Sequence, residues 1–287
     1  MNKEILDQLK TRQVKLEVLL AAHCNLKCRY CARFSCIADK EFYEFDQIVN
    51  DIRTLKKNKL NVTCLSLSGG EPLLHPRIIE ICRTIRLLFH KIAITIFTNG
   101  KDISHMTEQF WKTLSACGVV IIFTKYDHSK INYDELIELC NKHRIKCYNV
   151  CEVAKEDIDH TRSRMAANRL NPNGSEKFFS RNKLNCFEDC PTLYNGYIYQ
   201  CGKVAFVHIL NKKFNKQFEV VDADKLPVEH ATTDNYIEFM KQGTPFCKYC
   251  NCSPSEWHPW ENSNFCEDDW IYYEPENTNS DTEATEA

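Results

Sequence analysis

The chain has 287 residues, 43% of them hydrophobic and 26% charged, which suits one or two globular domains with a sizeable core. No apolar run approaches the roughly 20 residues that span a bilayer, and Glu4, Asp7 and Glu17 interrupt any signal-like segment, so the expected compartment is the cytoplasm with no membrane partner. The net charge of −2 divides into an acidic end, with eight acids and no Lys or Arg in 266–287, and a mildly basic body whose scattered bases do not form a nucleic-acid stripe.

The first half alternates strand and helix patterns. Val14–Ala22 reads as a strand, and a cysteine-rich loop follows it. His23 stands where a lipobox needs a small residue, so Leu19–Cys24 is not a lipid-attachment signal. A helix is expected at 45–57, with Phe45, Ile48, Val49, Ile52 and Leu55 on one face. Val62–Leu67 is the second strand and runs into Ser68-Gly69-Gly70. Pro76 opens a helix striped by Ile78, Ile81, Cys82, Ile85 and Leu88. Ile92–Phe97 is the third strand, closed by Thr98-Asn99-Gly100. Ser104 is expected to cap a helix through Leu114, and Gly118 opens a fourth strand, Val119–Phe123. Asn132 with Glu135 caps a fourth helix before a fifth strand, Ile145–Val153. Such alternation makes parallel βαβ units, and five strands are too few to close an eight-stranded barrel. The fold class is therefore α/β: a partial (β/α) barrel over 14–153, with its chemistry at the carboxyl ends of the strands.

Beyond Val153 the pattern changes. Residues 154–185 read as a linker, with a helix near 156–169. Thr192–Tyr194, Asn195-Gly196 and Tyr197–Gln200 read as a hairpin that sets Cys190 across from Cys201. Residues 186–270 form a small cysteine-rich α+β domain, and 271–287 form an acidic disordered tail.

Cysteine is the outlier in the composition. Seventeen cysteines, without a secretory signal, indicate thiolates held by metal rather than a disulfide scaffold. Cys24, Cys28 and Cys31 are three thiols within eight residues, which cover three corners of an iron–sulfur cubane and leave one iron without a protein ligand. A structural zinc site, with His23, Cys36 or a distant cysteine as fourth ligand, is the alternative. Gly69-Gly70-Glu71-Pro72 allows close backbone approach to a ligand, with Glu71 able to accept from an ammonium group.

Together these motifs resemble the radical S-adenosylmethionine (radical SAM) superfamily, with Tyr30 as the aromatic residue before the last cysteine and Asn99 in a further SAM-side turn. The resemblance implies a [4Fe–4S] cluster on Cys24, Cys28 and Cys31. It also implies SAM held near Tyr30, Gly69, Gly70, Glu71, Pro72 and Asn99, and an external electron donor such as flavodoxin or ferredoxin. Cys186, Cys190, Cys201, Cys247 and Cys250 are similar to the SPASM/Twitch extension, which implies one auxiliary [4Fe–4S] cluster; Cys186 and Cys190 compete for one ligand position, and zinc is the alternative there too.

The reaction expected is a hydrogen abstraction that starts the dehydrogenation of a small polar substrate, a saccharide or aminocyclitol. A peptide-modifying maturase is the second reading, although the 13 residues before the first strand are too few for the leader-binding domain such enzymes often carry. A zinc-stabilised binding module is the third. Cys151 is placed to donate a hydrogen atom to a substrate radical. Arg164, like Asp127, Glu152, His160 and Arg162, lies near the rim where it can bind substrate or take a proton. Cys64, Cys82, Cys117, Cys140 and Cys147 read as core filling, and Trp257, Trp260 and Trp270 as caps of the small domain.

Overall fold

The computed structural model describes residues 9–126, 129–149, 164–166, 169–178, 191–250 and 257–273. Cys151, Cys186, Cys190, Cys252, Asp127, Glu152, His160, Arg162 and the tail from residue 274 lie outside the described residues, as does the side chain of Arg164.

The parallel core forms from β1 (Val14–Ala21), α1 (Phe45–Lys57), β2 (Val62–Gly69), α2 (Ile78–Leu88), β3 (Ala93–Thr98), α3 (Glu108–Cys117), β4 (Val119–Phe123), α4 (Tyr133–Lys142) and β5 (Lys146–Asn149). The five strands pair in parallel, β5-β4-β3-β2-β1, and the sheet stays open. The helices α1 and α2 bury the stripes their spacing encodes, Ile48, Val49, Ile52 and Leu55 on α1 and Ile78, Ile81, Cys82 and Ile85 on α2, whereas α4 buries Tyr133, Leu136 and Cys140 but leaves Ile137 exposed. Asn132 caps α4 as expected. Ser104 does not cap α3: residues 103–105 form a separate 3-10 turn, and Thr107 caps the helix by accepting from the Phe110 N–H at 3.2 Å.

The second half is not set apart from this sheet. β7 (Thr192–Tyr194) pairs in parallel with β1, while β8 (Tyr197–Tyr199) and β9 (Lys225–Pro227) continue antiparallel, giving eight strands in the order β5-β4-β3-β2-β1-β7-β8-β9. The physical reason is the free edge of β1: an apolar strand buried on both faces needs a partner on both sides. The hairpin has the expected register, with both turn residues at positive φ, Asn195 at 46° and Gly196 at 81°.

The buried Asp51 on α1 accepts from the Gly196 N–H at 2.9 Å and from Gln47 at 2.7 Å, pinning the turn to the core. Two further helices follow, α5 (Gly202–Phe214) and α6 (Thr233–Gln242). The first escapes a periodicity search because Val204, Ala205, Phe206, Val207, Ile209 and Leu210 bury it on nearly every side.

The helix expected near 156–169 gives way, at its described positions, to β6 (Arg164–Ala166), which pairs antiparallel with β10 (Trp257–Pro259). No helix among the described residues is long and apolar enough to cross a membrane.

Candidate active site around the first cysteine loop

The carboxyl ends of β1, β2, β3 and β4 carry the three-cysteine loop, the Gly-Gly turn, the Thr98-Asn99 turn and Tyr126 to one rim. The two glycines pack against the end of β1. Gly69 has φ 130°, and a Cβ on it would lie 2.6 Å from the Ala21 carbonyl; one on Gly70 would lie 2.1 Å from the His23 carbonyl. The Gly70 N–H donates to Ala21 O at 2.8 Å and the Glu71 N–H to His23 O at 3.1 Å. The close approach that the glycines permit is thus first to the chain itself, one residue before Cys24. Pro72 is buried and opens the short 3-10 turn Pro72–Leu74.

Glu71 is 1% exposed. The Leu73 N–H and the Thr98 hydroxyl donate to its Oε1 at 3.0 and 2.7 Å, and the Asn99 N–H donates to its Oε2 at 3.0 Å. Burial outweighs these bonds and pushes the carboxyl up to about 7. Glu71 therefore ties the β2 and β3 turns together. Asn99, also buried, extends this network: its Nδ2 donates to Asn25 Oδ1 at 2.8 Å and to Cys24 Sγ at 3.6 Å.

The first cysteine loop gathers its thiols. Burial pushes the Cys24 thiol up to about 12, with Glu71 and Cys31 adding to the rise. Burial raises Cys28 further, and Cys31, Cys24 and Cys36 then reinforce it. Cys36 belongs to the same neighbourhood, since its thiol lies 3.5 Å from the Cys28 carbonyl and is raised by burial and then by Cys31.

Donors already point at sulfur: the Leu26 N–H reaches Cys24 Sγ at 3.4 Å, alongside Asn99. N–H groups aimed at cysteine sulfur suit an iron–sulfur cluster. Among the described residues no three His, Cys, Asp or Glu side chains are arranged to hold a single metal ion. Three thiols on one loop suit a cubane, which takes its ligands on separate irons and leaves one iron without a protein ligand.

Two features of this site were not read from the sequence. Tyr126, after β4, has its hydroxyl raised well above its ordinary value by desolvation and then by Cys28, Cys24 and Cys31, which places it beside the thiols. The segment 257–273 lies over the loop. Cys28 bridges Asn262, the Arg29 N–H donates to Glu261 O, and the Ser263 N–H donates to Lys27 O. Arg29 pairs with Glu261 and, at 2.7 Å, with the buried Asp269.

Tyr30 packs against Arg29 and, at 4.9 Å, against His258. Trp260 and Trp270 serve this loop rather than a separate small domain. Trp260 packs edge-on to Tyr126 at 4.6 Å, and the Trp270 indole N–H donates to Cys31 O at 3.1 Å, because an indole N–H taken out of water needs an acceptor. The backbone of Arg164 lies in this cover, opposite Pro259.

The second cysteine set is brought together in part. Cys201 is the N-cap of α5. Cys247 and Cys250 share one tight turn, the Cys250 N–H donating to Cys247 O at 3.2 Å. Lys203 on α5 reaches Cys250 Sγ at 3.6 Å. Of the cysteines read as packing, Cys82, Cys117 and Cys140 are buried, while Cys64 and Cys147 are half-buried.

Residues 18–165 match the family model of the radical SAM superfamily. The chain belongs to that superfamily. Membership implies a [4Fe–4S] cluster and SAM.

Among curated proteins it is similar to the GTP 3′,8-cyclase of Microcystis aeruginosa (31% identical over 104 residues, 34% of this chain and 30% of that protein) and to that of Synechocystis sp. (35% over 106 residues, 35% and 30%). It also resembles molybdenum cofactor biosynthesis protein 1 of Bos taurus (30% over 108 residues, 36% and 17%). The matches thus span less than a third of those proteins' length in the two cyclases, and less still in the bovine protein.

In three dimensions the chain is similar to BtrN in complex with AdoMet and 2-DOIA (16% identity, 83% of this chain and 92% of that one, TM-score 0.49). It is also similar to anSMEcpe with bound AdoMet (14%, 80% and 83%, TM-score 0.46).

Proposed function

We propose that this radical SAM protein abstracts a hydrogen atom from a small polar substrate of carbohydrate type, a saccharide or aminocyclitol, to begin its dehydrogenation. The observation that carries the reading is the linkage of Cys24 through Asn99 to Glu71, which holds the cysteine loop and the Gly-Gly turn on one rim. Cys24, Cys28 and Cys31 would hold a [4Fe–4S] cluster, which when bound would supply the electron for the reductive cleavage of SAM.

The protein's own part is placement. Glu71 and Asn99 fix the two turns, Gly70 keeps half-exposed backbone beside Cys24 for the SAM amino group, and the 257–273 cover shields the loop from water. Arg33 pairs with Glu17, donates to Gly69 O at 3.4 Å and flanks Gly202, so one guanidinium spans the first loop and the start of α5.

The second cysteine set, Cys201, Cys247 and Cys250 with Cys186 or Cys190, is assigned as the ligands of one auxiliary [4Fe–4S] cluster. It would accept the electron the substrate radical gives up, while a base takes the accompanying proton. Cys151 and Arg164 remain candidates for hydrogen-atom donor and substrate contact.

The test is anaerobic reconstitution followed by assay of 5′-deoxyadenosine with a panel of sugars, aminocyclitols, GTP and peptides. Formation stimulated by a sugar or aminocyclitol, with a product two hydrogens lighter, supports the reading. Stimulation by GTP alone would move the assignment to the cyclase chemistry named for the curated relatives, and stimulation by a peptide alone would move it to a maturase.

A further inference from the structure

Lys203 is 3% exposed, and a buried lysine is held by the groups it touches. It also stands in the first turn of α5, the end of a helix where the backbone dipole disfavours a cation, and no acid accompanies it there. What the position provides is a donor to sulfur: Lys203 Nζ lies 3.6 Å from Cys250 Sγ, two residues from Cys201 and against the tight turn shared by Cys247 and Cys250.

We propose that Lys203 is a positioning residue of the C-terminal cluster, donating a hydrogen bond to a ligand sulfur and so raising the cluster's reduction potential. This rests on the assignment of Cys201, Cys247 and Cys250 as ligands of an auxiliary [4Fe–4S] cluster. Hydrogen bonds to cluster sulfur and the outer shell of groups around a metal centre tune its potential. The added electron of the one-electron couple places negative charge on the sulfurs, and a donor dipole aimed at one of them favours the reduced form. A higher potential suits a centre that receives an electron from a substrate radical.

The experiment uses the full chain with Cys24, Cys28 and Cys31 all changed to Ala, reconstituted with iron and sulfide without oxygen. The midpoint of the remaining cluster is followed by electron paramagnetic resonance during a redox titration. About four iron per chain are expected. Lys203→Met, close in size and free of hydrogen-bond donors, should keep that iron and move the midpoint to a more negative potential, while Lys203→Arg should stay near the parent.

An unchanged midpoint in Lys203→Met with iron retained overturns the proposal. If Lys203→Met loses iron, retention in Lys203→Arg supports the bond to sulfur, whereas equal loss in both overturns it in favour of packing. Absence of iron from the parent triple variant overturns the auxiliary-cluster assignment itself, a failure distinguishable from that of Lys203.

Discussion

The two cysteine regions are built in opposite ways. Cys24, Cys28 and Cys31 sit on a single loop after β1, held by the Leu26 N–H, the Asn99 side chain and the 257–273 cover. Cys201, Cys247 and Cys250 come from two distant stretches, joined by the turn holding Cys247 and Cys250 and by one buried lysine. A local site inherits its geometry from the loop. A dispersed one depends on the sheet, here on β7 and β8 docking beside β1.

The largest break in this comparison is Cys28→Ala. It should abolish 5′-deoxyadenosine formation while leaving the C-terminal iron in place, as read by iron analysis beside the cleavage assay; loss of all iron would mean the two regions load as one. Next comes Gly70→Ala, whose methyl meets the His23 carbonyl at 2.1 Å. Destabilisation of about 3 kcal/mol is expected from forced overpacking, and urea titration measures it.

Glu71→Gln should cost about 1 to 3 kcal/mol, since an amide NH2 faces one of the three donors. It should also alter the pH profile. Burial raises the Glu71 carboxyl to about 7, so the folded chain holds that proton more tightly than the unfolded one. Its contribution is fully present below the ordinary carboxylate range and is lost as pH rises through about 7. Thermal melts on either side of that window should show a decline in the parent that is smaller in Glu71→Gln.

The smallest effect is expected from Cys36→Ser. If only three thiols of the first region hold iron, its iron content and SAM cleavage stay at the parent level; a matching loss of iron would make Cys36 a fourth ligand.

How much was legible follows the same division. The five parallel strands, the stripes of α1 and α2 and the Asn195-Gly196 hairpin are local patterns, and each appears where its spacing puts it. The roles of Glu71 and the glycines were not legible, because a motif shows which residues can meet a ligand and not which already meet one another. Tyr126 and Trp270 reach the first loop from far along the chain, and no local period encodes such contacts. The same holds for Lys203: α5 around it is buried on nearly every side and offers no stripe to read.

One consequence concerns the order in which the molecule is made. The first loop is covered by residues far downstream, with Arg29 bound to Asp269 and Cys31 to Trp270 across 240 and 239 positions. At about 5 to 20 residues per second, a ribosome needs roughly tens of seconds to supply them. Through that interval the nascent first loop lacks its cover, which closes over the thiols only when those residues arrive.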